Sequence, residues 1–294
     1  MSKTLSWNYY QQHCLQMPEL GMSIDTSKMN APDKLPDSLK AKFSVAFKQM
    51  QELEKGLIAN PDENQMVGHF WLRNPALAPT KKIQTQIKNT LKKIRQFAAD
   101  IHQKKIRPQK AIQFRNVLSL GMGGSALGPQ LINSALGPQN ESMRFYFLDN
   151  TDPEGIDRAI ASIDKGLAET LILIISKSGN TLETRNSMIE VRECYSKVGL
   201  DFARHAVAIT RENSQLAQLA SKEKWLACFP MWDWVGGRTS ILSTVGLLPA
   251  ALLGENISSL LNGAKIMDEL TRSTKIKENP AAILAWMLHH AGGG

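Results

Sequence analysis

The sequence predicts an α/β fold, a three-layer sandwich around a central parallel five-stranded sheet, preceded by a helical region and followed by helices that begin a second domain. Three observations predict this class. Short apolar runs alternate with helix-length segments between about residues 115 and 230. Before residue 110 and after residue 236, apolar residues recur at helical spacing instead. We therefore expect three regions, 1–110, 111–235 and 236–294.

Two helices dominate the predicted N-terminal region. The first is SLKAKFSVAFKQMQELEKGLIAN, ended by Asn60 and Pro61. Its apolar face would contain Phe43, Ala46, Phe47, Met50, Leu53 and Leu57. The second lies in the basic segment 81–110 and would bury Ile83, Ile87, Leu91, Ile94 and Ala98.

Five apolar runs supply the strands of the predicted sheet: NVLSLG, MRFYFLDN, TLILIISKSGN, HAVAITREN and WLACFP. Strands separated by helix-length segments form βαβ units, whose parallel sheet is covered by helices on both faces. Ligands of such sheets bind beyond the carboxyl ends of the strands. The loops that follow the strands are therefore the candidates for chemistry.

The charge distribution limits the classes of partner. The 294 residues carry a net charge of +8, much of it on lysines of the segment 81–110. A basic surface suits nucleic acid or small anionic substrates. These lysines lie mostly off the apolar stripe, and no aromatic side chains interleave with them to stack on bases. We interpret this face as solvated and expect no nucleic-acid partner.

The sequence shows no secretory signal and no stretch of about 18 apolar residues that would span a membrane. Cys14, Cys194 and Cys228 are far apart and lack metal-ligand spacing. This pattern favours buried thiols in a reducing compartment over a disulfide framework or a zinc site. We expect a cytoplasmic location, no membrane partner and no metal.

The first loop, GMGGSALGP (residues 121–129), follows the first strand and opens a helix. Its glycines let backbone amides approach an anion at a helix N-terminus, and Ser125 adds a hydroxyl donor. The loop thus predicts a phosphate site. A dinucleotide, another phosphate compound and a plain tight turn all fit it.

The second loop, SKSGNTLET (residues 176–184), follows the third strand. Ser176, Ser178, Asn180 and Thr181 place hydroxyl and amide donors on one turn before a helix, which predicts a second anion site. Such residues are also common in ordinary turns. Two loops of this kind on one sheet favour a phosphorylated small molecule over a dinucleotide.

The third loop, DWVGGRTSILSTVG (residues 233–246), places Arg238 after two glycines and before a helix start. An arginine there suits negative charge on a phosphate or in a transition state. An ion pair with Asp233 or another acid is the structural alternative. All six histidines fall outside the three loops, so none is assigned as a proton shuttle.

Together, in this order and spacing, the three loops resemble the sugar-phosphate-binding motifs of the phosphoglucose isomerase family, whose α/β sandwich is of the sugar isomerase (SIS) type. The resemblance covers about residues 115–250. Sugar isomerase domains share the first two patterns, but the VGGR motif in combination with them is specific to this family. The resemblance answers the question of ligand in favour of a sugar phosphate.

The resemblance implies a role for each matched residue. Substrate would be bound by Gly124 and Ser125 at the sugar end and by Ser176, Lys177, Ser178 and Thr181 at the phosphate, Lys177 chiefly through its backbone amide. Arg238 would stabilise the cis-enediolate formed when a proton moves between C1 and C2. The implied reaction is the interconversion of glucose 6-phosphate and fructose 6-phosphate, a step of glycolysis and gluconeogenesis.

The resemblance also carries expectations about the rest of the protein. Proton transfer alone interconverts aldose and ketose, so no metal or redox cofactor is needed. A homodimer is implied for the full-length protein. The family's catalytic glutamate, ring-opening histidine and late lysine belong to C-terminal motifs that this sequence lacks. We therefore interpret the chain as an N-terminal portion that binds a hexose 6-phosphate but turns it over poorly or not at all.

Two functions of other classes stay open at this point. A non-catalytic sugar-phosphate-binding regulatory module would keep the first two loops but has no enediolate for Arg238 to stabilise. An NAD-dependent dehydrogenase would use Gly121, Gly123 and Ala126 as a dinucleotide fingerprint, with Asp149 binding the ribose. It would leave the second loop without a purpose.

Overall fold

A computed structural model describes residues 6–29, 32, 34–137 and 143–292. The chain divides into two compact units, one formed by residues 58–257 and the other by residues 1–57 together with 258–294. The sequence predicts domain boundaries near residues 110 and 235. These compact units do not test those boundaries, which stay a prediction. Within the described ranges, no helix is both long enough and apolar enough to cross a membrane.

The secondary structure alternates as the sequence predicts from residue 116 onward. The α-helices of the described residues are α1 (Trp7–Gln12), α2 (Asp37–Glu54), α3 (Lys81–His102), α4 (Gly124–Leu136), α5 (Pro153–Ile163), α6 (Leu182–Lys197), α7 (Gln215–Lys222), α8 (Thr244–Leu252), α9 (Ile257–Thr271) and α10 (Pro280–Ala291). The strands are β1 (Cys14–Met17), β2 (Met22–Asp25), β3 (Ile58–Asn60), β4 (Gln65–Met66), β5 (Asn116–Gly121), β6 (Arg144–Leu148), β7 (Thr170–Ser176), β8 (Ala206–Thr210) and β9 (Ala227–Pro230).

A parallel five-stranded sheet forms the centre of unit 58–257, in the order β6-β5-β7-β8-β9. This confirms the predicted fold class and all five predicted strands. Every residue of β5, β7 and β8 is buried. Such strands are apolar along almost their whole length because helices cover both faces of the sheet.

The two faces of this sheet are covered by different helices. On one face, α5, α6 and α7 pack against alternate strand residues such as Leu118, Ile172 and Ala208. On the other face, α3 reaches β9, where the rings of Phe97 and Phe229 lie 5.5 Å apart, and α4 contacts β5. All nine residues of α8, which packs against α3 and α4, are buried. Because the helix is buried on all sides, its sequence is not amphipathic.

The helical predictions before residue 110 are correct in part. The buried stripe of α3 contains Ile83, Ile87, Ile94 and Ala98 as expected, although the helix already ends at His102. Helix α2 ends at Glu54 rather than near Asn60. Gly56 there adopts a φ of +95°, and β3 follows it. The hairpins β1-β2 and β3-β4 were not predicted, because their strands are too short to show alternation.

The unit formed by residues 1–57 and 258–294 has a small apolar cluster. Phe43 of α2 packs with Ala282, Trp286 and Met287 of α10. The predicted apolar face of α2 is otherwise largely exposed, with Met50 at 37%. The three cysteines of the chain are unpaired and half-buried rather than fully buried.

Candidate functional site

The first and second loops lie side by side at the carboxyl edge of the sheet. The first follows β5 and the second follows β7, and these strands are hydrogen-bonded neighbours. Strand β5 has the next strand of the sequence, β6, on its other side, so the strand order reverses here. Such reversal points form the ligand crevice of doubly wound sheets. Helices α4 and α6 begin at this crevice, so the partial positive charge of their N-termini lies there.

Glycines shape the first loop in the manner that the sequence predicts. Gly123 precedes α4 with a φ of +52°, a conformation that other residues rarely adopt. A Cβ on Gly121 would lie 2.9 Å from the Cβ of Ser125. Ser125 is half-buried in the first turn of α4, and its N–H donates to the Met122 carbonyl at 3.0 Å. Its hydroxyl is thus placed at the N-terminus of the helix.

Gly124 brings the first loop into contact with the third. A Cβ on Gly124 would lie 2.7 Å from the Cα of Gly237 and closer still to its carbonyl. The hydroxyl of Ser240 lies 2.7 Å from the Gly237 oxygen and 3.2 Å from the Gly124 oxygen. The two loops therefore touch through their backbones, and only glycine fits at residue 124.

The second loop is organised by its own hydroxyl groups. The N–H of Gly179 donates to the Ser176 hydroxyl at 3.1 Å, and that hydroxyl lies 3.0 Å from the Thr181 hydroxyl. Either hydroxyl can donate in this pair, and a Thr181 hydroxyl that accepts from Ser176 keeps its own proton for another acceptor. The hydroxyl of Ser178 accepts from the Asn180 N–H at 3.1 Å.

Backbone geometry completes the second loop. Gly179 has a φ of +74°, and a Cβ there would lie 2.9 Å from the Cβ of Ser214. Thr181 precedes α6 without capping it through its side chain, which leaves its hydroxyl for other partners. Helix N-terminal amides lack intrahelical acceptors, so the start of α6 adds donors for an anion.

The side chain of Lys177 leaves the second loop and reaches the third. Its ammonium group donates to the carbonyl oxygens of Asp233, at 2.9 Å, and Val235, at 3.1 Å. Burial lowers the pKa of this amine, while the carboxylates of Asp233 and Glu63 oppose the shift. The expectation that Lys177 binds substrate chiefly through its backbone amide stays a prediction.

Arg238 lies in a 3-10 turn, Gly237–Leu242, and its side chain is exposed. Within the part of the chain that the structure describes, its guanidinium forms no hydrogen bond or ion pair. The alternative pairing with Asp233 is wrong, because Asp233 meets Arg211 instead, at 3.5 Å. The residue before Arg238, Gly237, contacts the first loop through its backbone, and anion binding by Arg238 itself stays a prediction.

The carboxylate proposed for a dinucleotide ribose has other partners. One Asp149 oxygen accepts from the Gln130 amide at 2.8 Å and the other from the Asn150 amide at 3.2 Å. Among the residues described, no group of three or more His, Cys, Asp or Glu side chains is arranged to hold a metal ion.

Sequence reasoning missed the segment that supports the third loop from outside. The N–H of Gly68 donates to the Trp234 carbonyl at 2.9 Å. The ring centroids of Trp71 and Trp234 lie 5.4 Å apart, and Trp232 stacks on Trp234 at 4.9 Å. A Cβ on Gly68 would overlap the Trp71 ring. In the sequence, the signal for this contact is a glycine, Gly68, shortly before a tryptophan, Trp71.

Comparisons with known proteins agree with this geometry. Residues 24–290 match the family model of phosphoglucose isomerase. A glucose-6-phosphate isomerase of Thermosynechococcus vestitus is 51% identical over 98% of this chain and 54% of its own length. The chloroplastic glucose-6-phosphate isomerase 1 of Arabidopsis thaliana is 51% identical over 98% of this chain and 47% of its own length.

A solved structure shows the same similarity. The crystal structure of a glucose-6-phosphate isomerase from Chlamydia trachomatis superimposes with a TM-score of 0.84 at 25% identity, covering 97% of this chain and 55% of that one. The chain thus spans about half the length of the relatives that it matches.

Proposed function

The chain belongs to the phosphoglucose isomerase family, and from this premise we propose that it supplies the sugar-phosphate-binding half of an enzyme that interconverts glucose 6-phosphate and fructose 6-phosphate. The observation that carries the proposal is the meeting of the three loops. The first and third touch at Gly124 and Gly237, and Lys177 joins the second to the third.

In this proposal the second loop binds the phosphate. The hydroxyls of Ser176, Ser178 and Thr181, the backbone amide of Lys177 and the start of α6 offer neutral donors and a helix dipole. Neutral donors suit a group that must be released after each turnover. Gly124 and Ser125, across the crevice, border the sugar.

In the same proposal, Arg238 is the catalytic residue. Moving a proton between C1 and C2 of the open sugar creates a cis-enediolate, whose negative charge a guanidinium stabilises more than it stabilises the neutral sugar. The guanidinium of Arg238, exposed and without a partner among the described residues, supports this role. We assign no base, since the proton-shuttling glutamate implied by the family resemblance belongs to C-terminal motifs.

Binding and turnover test the proposal separately. Calorimetric titration with 6-phosphogluconate, and with gluconate as the matched ligand without phosphate, measures binding of the phosphate. A coupled isomerase assay on the same preparation measures catalysis. We expect binding of 6-phosphogluconate only, with little or no turnover. Equal affinity for both ligands would remove the second loop from the site, and turnover would show that the base lies within residues 1–294.

The proposal extends to the setting of the whole protein. The unpaired state of Cys14, Cys194 and Cys228 supports a reducing compartment such as the cytoplasm. A homodimer without nucleic acid is proposed for the full-length protein. Sedimentation of that protein at several concentrations measures the assembly.

A further inference from the structure

The third loop owes its backbone position to donors from other segments. Three successive carbonyls are bound from outside: Lys177 donates to those of Asp233 and Val235, and the Gly68 N–H donates to that of Trp234 between them. With its amide oriented to donate, Gln65 also reaches the Asp233 oxygen at 2.9 Å. The loop is thus fixed just before Gly236 and Arg238.

Lys177 is the member of this set that belongs to the second loop. Its carbonyl accepts from the Arg211 N–H at 3.2 Å, which anchors its backbone beside β8. Its ammonium group is half-buried and lies against the third loop. The backbone of this one residue therefore belongs to the second loop, while its ammonium group binds the third.

Arg238 depends on this support because its own side chain is held by no described residue. Its direction follows from the backbone of Gly236 and Gly237, which is held on its C-terminal side by the Ser240 hydroxyl and by the contact with Gly124. A charged donor bound to two carbonyls contributes more than a neutral hydrogen bond. The Lys177 ammonium group thus supplies a charged restraint on the carbonyls of Asp233 and Val235, on the N-terminal side of these glycines.

We propose that Lys177 is a positioning residue, whose ammonium group fixes the third loop, and with it Arg238, relative to the second loop. A second claim, that Lys177 couples phosphate binding to the placement of Arg238, rests on the proposed function. The restraint of the third loop by Lys177 does not, since it exists in the protein without ligand. The restraint and the coupling can therefore fail separately.

Lys177→Met removes the ammonium group and keeps the length of the side chain. Lys93→Met is the matched control, because Lys93 also donates to a carbonyl of this unit, that of Cys228 at 2.7 Å, but outside the loops. Amide exchange by mass spectrometry should accelerate on the order of tenfold in residues 233–243 of Lys177→Met only. The near-ultraviolet circular dichroism of stacked Trp232 and Trp234 should weaken in the same variant.

Chemical restoration separates positioning from packing. Lys177→Cys treated with bromoethylamine regains an ammonium group at nearly the original distance, and the treated parent chain controls for the other three cysteines. We expect recovery of slow exchange and of the tryptophan signal. If Lys177→Met does not fold, Lys177→Gln, which loses the charge but keeps an amide N–H donor group, replaces it. Unchanged exchange in residues 233–243, or no recovery after restoration, would overturn the proposal.

Ligand dependence tests the coupling. With saturating 6-phosphogluconate, exchange in residues 233–243 should slow in the parent chain and change little in Lys177→Met. If the parent chain binds no 6-phosphogluconate, the proposed function fails, while the ligand-free measurements still judge the restraint. If both proteins show equal slowing, the coupling through Lys177 is excluded.

Discussion

The second and third loops meet in one crevice but are ordered in different ways. The second is held largely by its own residues, through the hydroxyls of Ser176 and Ser178 and the turn at Gly179. The third is held by Lys177 and by the segment before α3, while Arg238 itself is unpaired among the described residues. A local motif can thus order the loop that we propose as the anion site, whereas the position of the proposed catalytic charge depends on distant segments.

The largest expected effect breaks the contact between the first and third loops. Gly124→Ala would place a Cβ against the backbone of Gly237, which cannot rotate away. We expect a loss of about 3 kcal/mol in the free energy of unfolding, measured by urea denaturation. Gly263→Ala, in α9, is the control, because nothing lies within 4 Å of its added Cβ and alanine favours a helix. Equal stability of the two variants would contradict the close approach.

Acid should weaken the support of the third loop through His69, which follows Gly68. Burial and the nearby Arg73 lower the pKa of His69 from its ordinary value of 6.5 to about 4. Between these values the unfolded chain takes up a proton that the folded chain does not. The contribution is therefore fully present above pH 6.5 and is lost as the pH falls toward 4.

The variant His69→Gln measures this contribution. Between pH 6.5 and 4.5, the parent should lose about 2 kcal/mol more of its free energy of unfolding than the variant. Buried His205, whose pKa burial also lowers, contributes equally in both proteins and cancels. Parallel pH profiles would show that His69 is solvated in the folded state.

An effect of similar size is expected from straining the second loop alone. Gly179→Ala forces a side chain into a φ of +74° and toward Ser214. We expect a loss of about 2 kcal/mol in urea denaturation, with faster amide exchange in residues 176–184 and little change in residues 233–243. Equal acceleration in both loops would show that the second loop is not independently ordered.

The smallest effect should come from a single hydroxyl. Thr181→Val keeps the shape of the side chain and removes a hydroxyl that we propose to bind the phosphate. Because this hydroxyl bonds to that of Ser176 but does not cap α6, the melting temperature should fall only slightly. Affinity for 6-phosphogluconate should fall by about 1 kcal/mol, roughly fivefold, in calorimetry. Unaltered affinity would mean that Thr181 does not contact the phosphate.

The sequence predicted those features that local patterns encode. Continuous apolar runs indicated β5, β7 and β8 because both faces of these strands are buried, and glycine and hydroxyl residues marked the first two loops. It did not predict the β1-β2 and β3-β4 hairpins, the early end of α2, or the destination of the Lys177 ammonium group. Each of these depends on a partner distant in sequence or on strands of two to four residues.

The strand order of the sheet has a consequence for folding during synthesis. After β6 pairs with β5, each later strand pairs with one already made: β7 with β5, β8 with β7, and β9 with β8. The sheet can therefore grow at one edge as the chain leaves the ribosome, without waiting for a downstream strand. The third loop emerges last of the three, when its acceptors and donors in the first two loops are already in place.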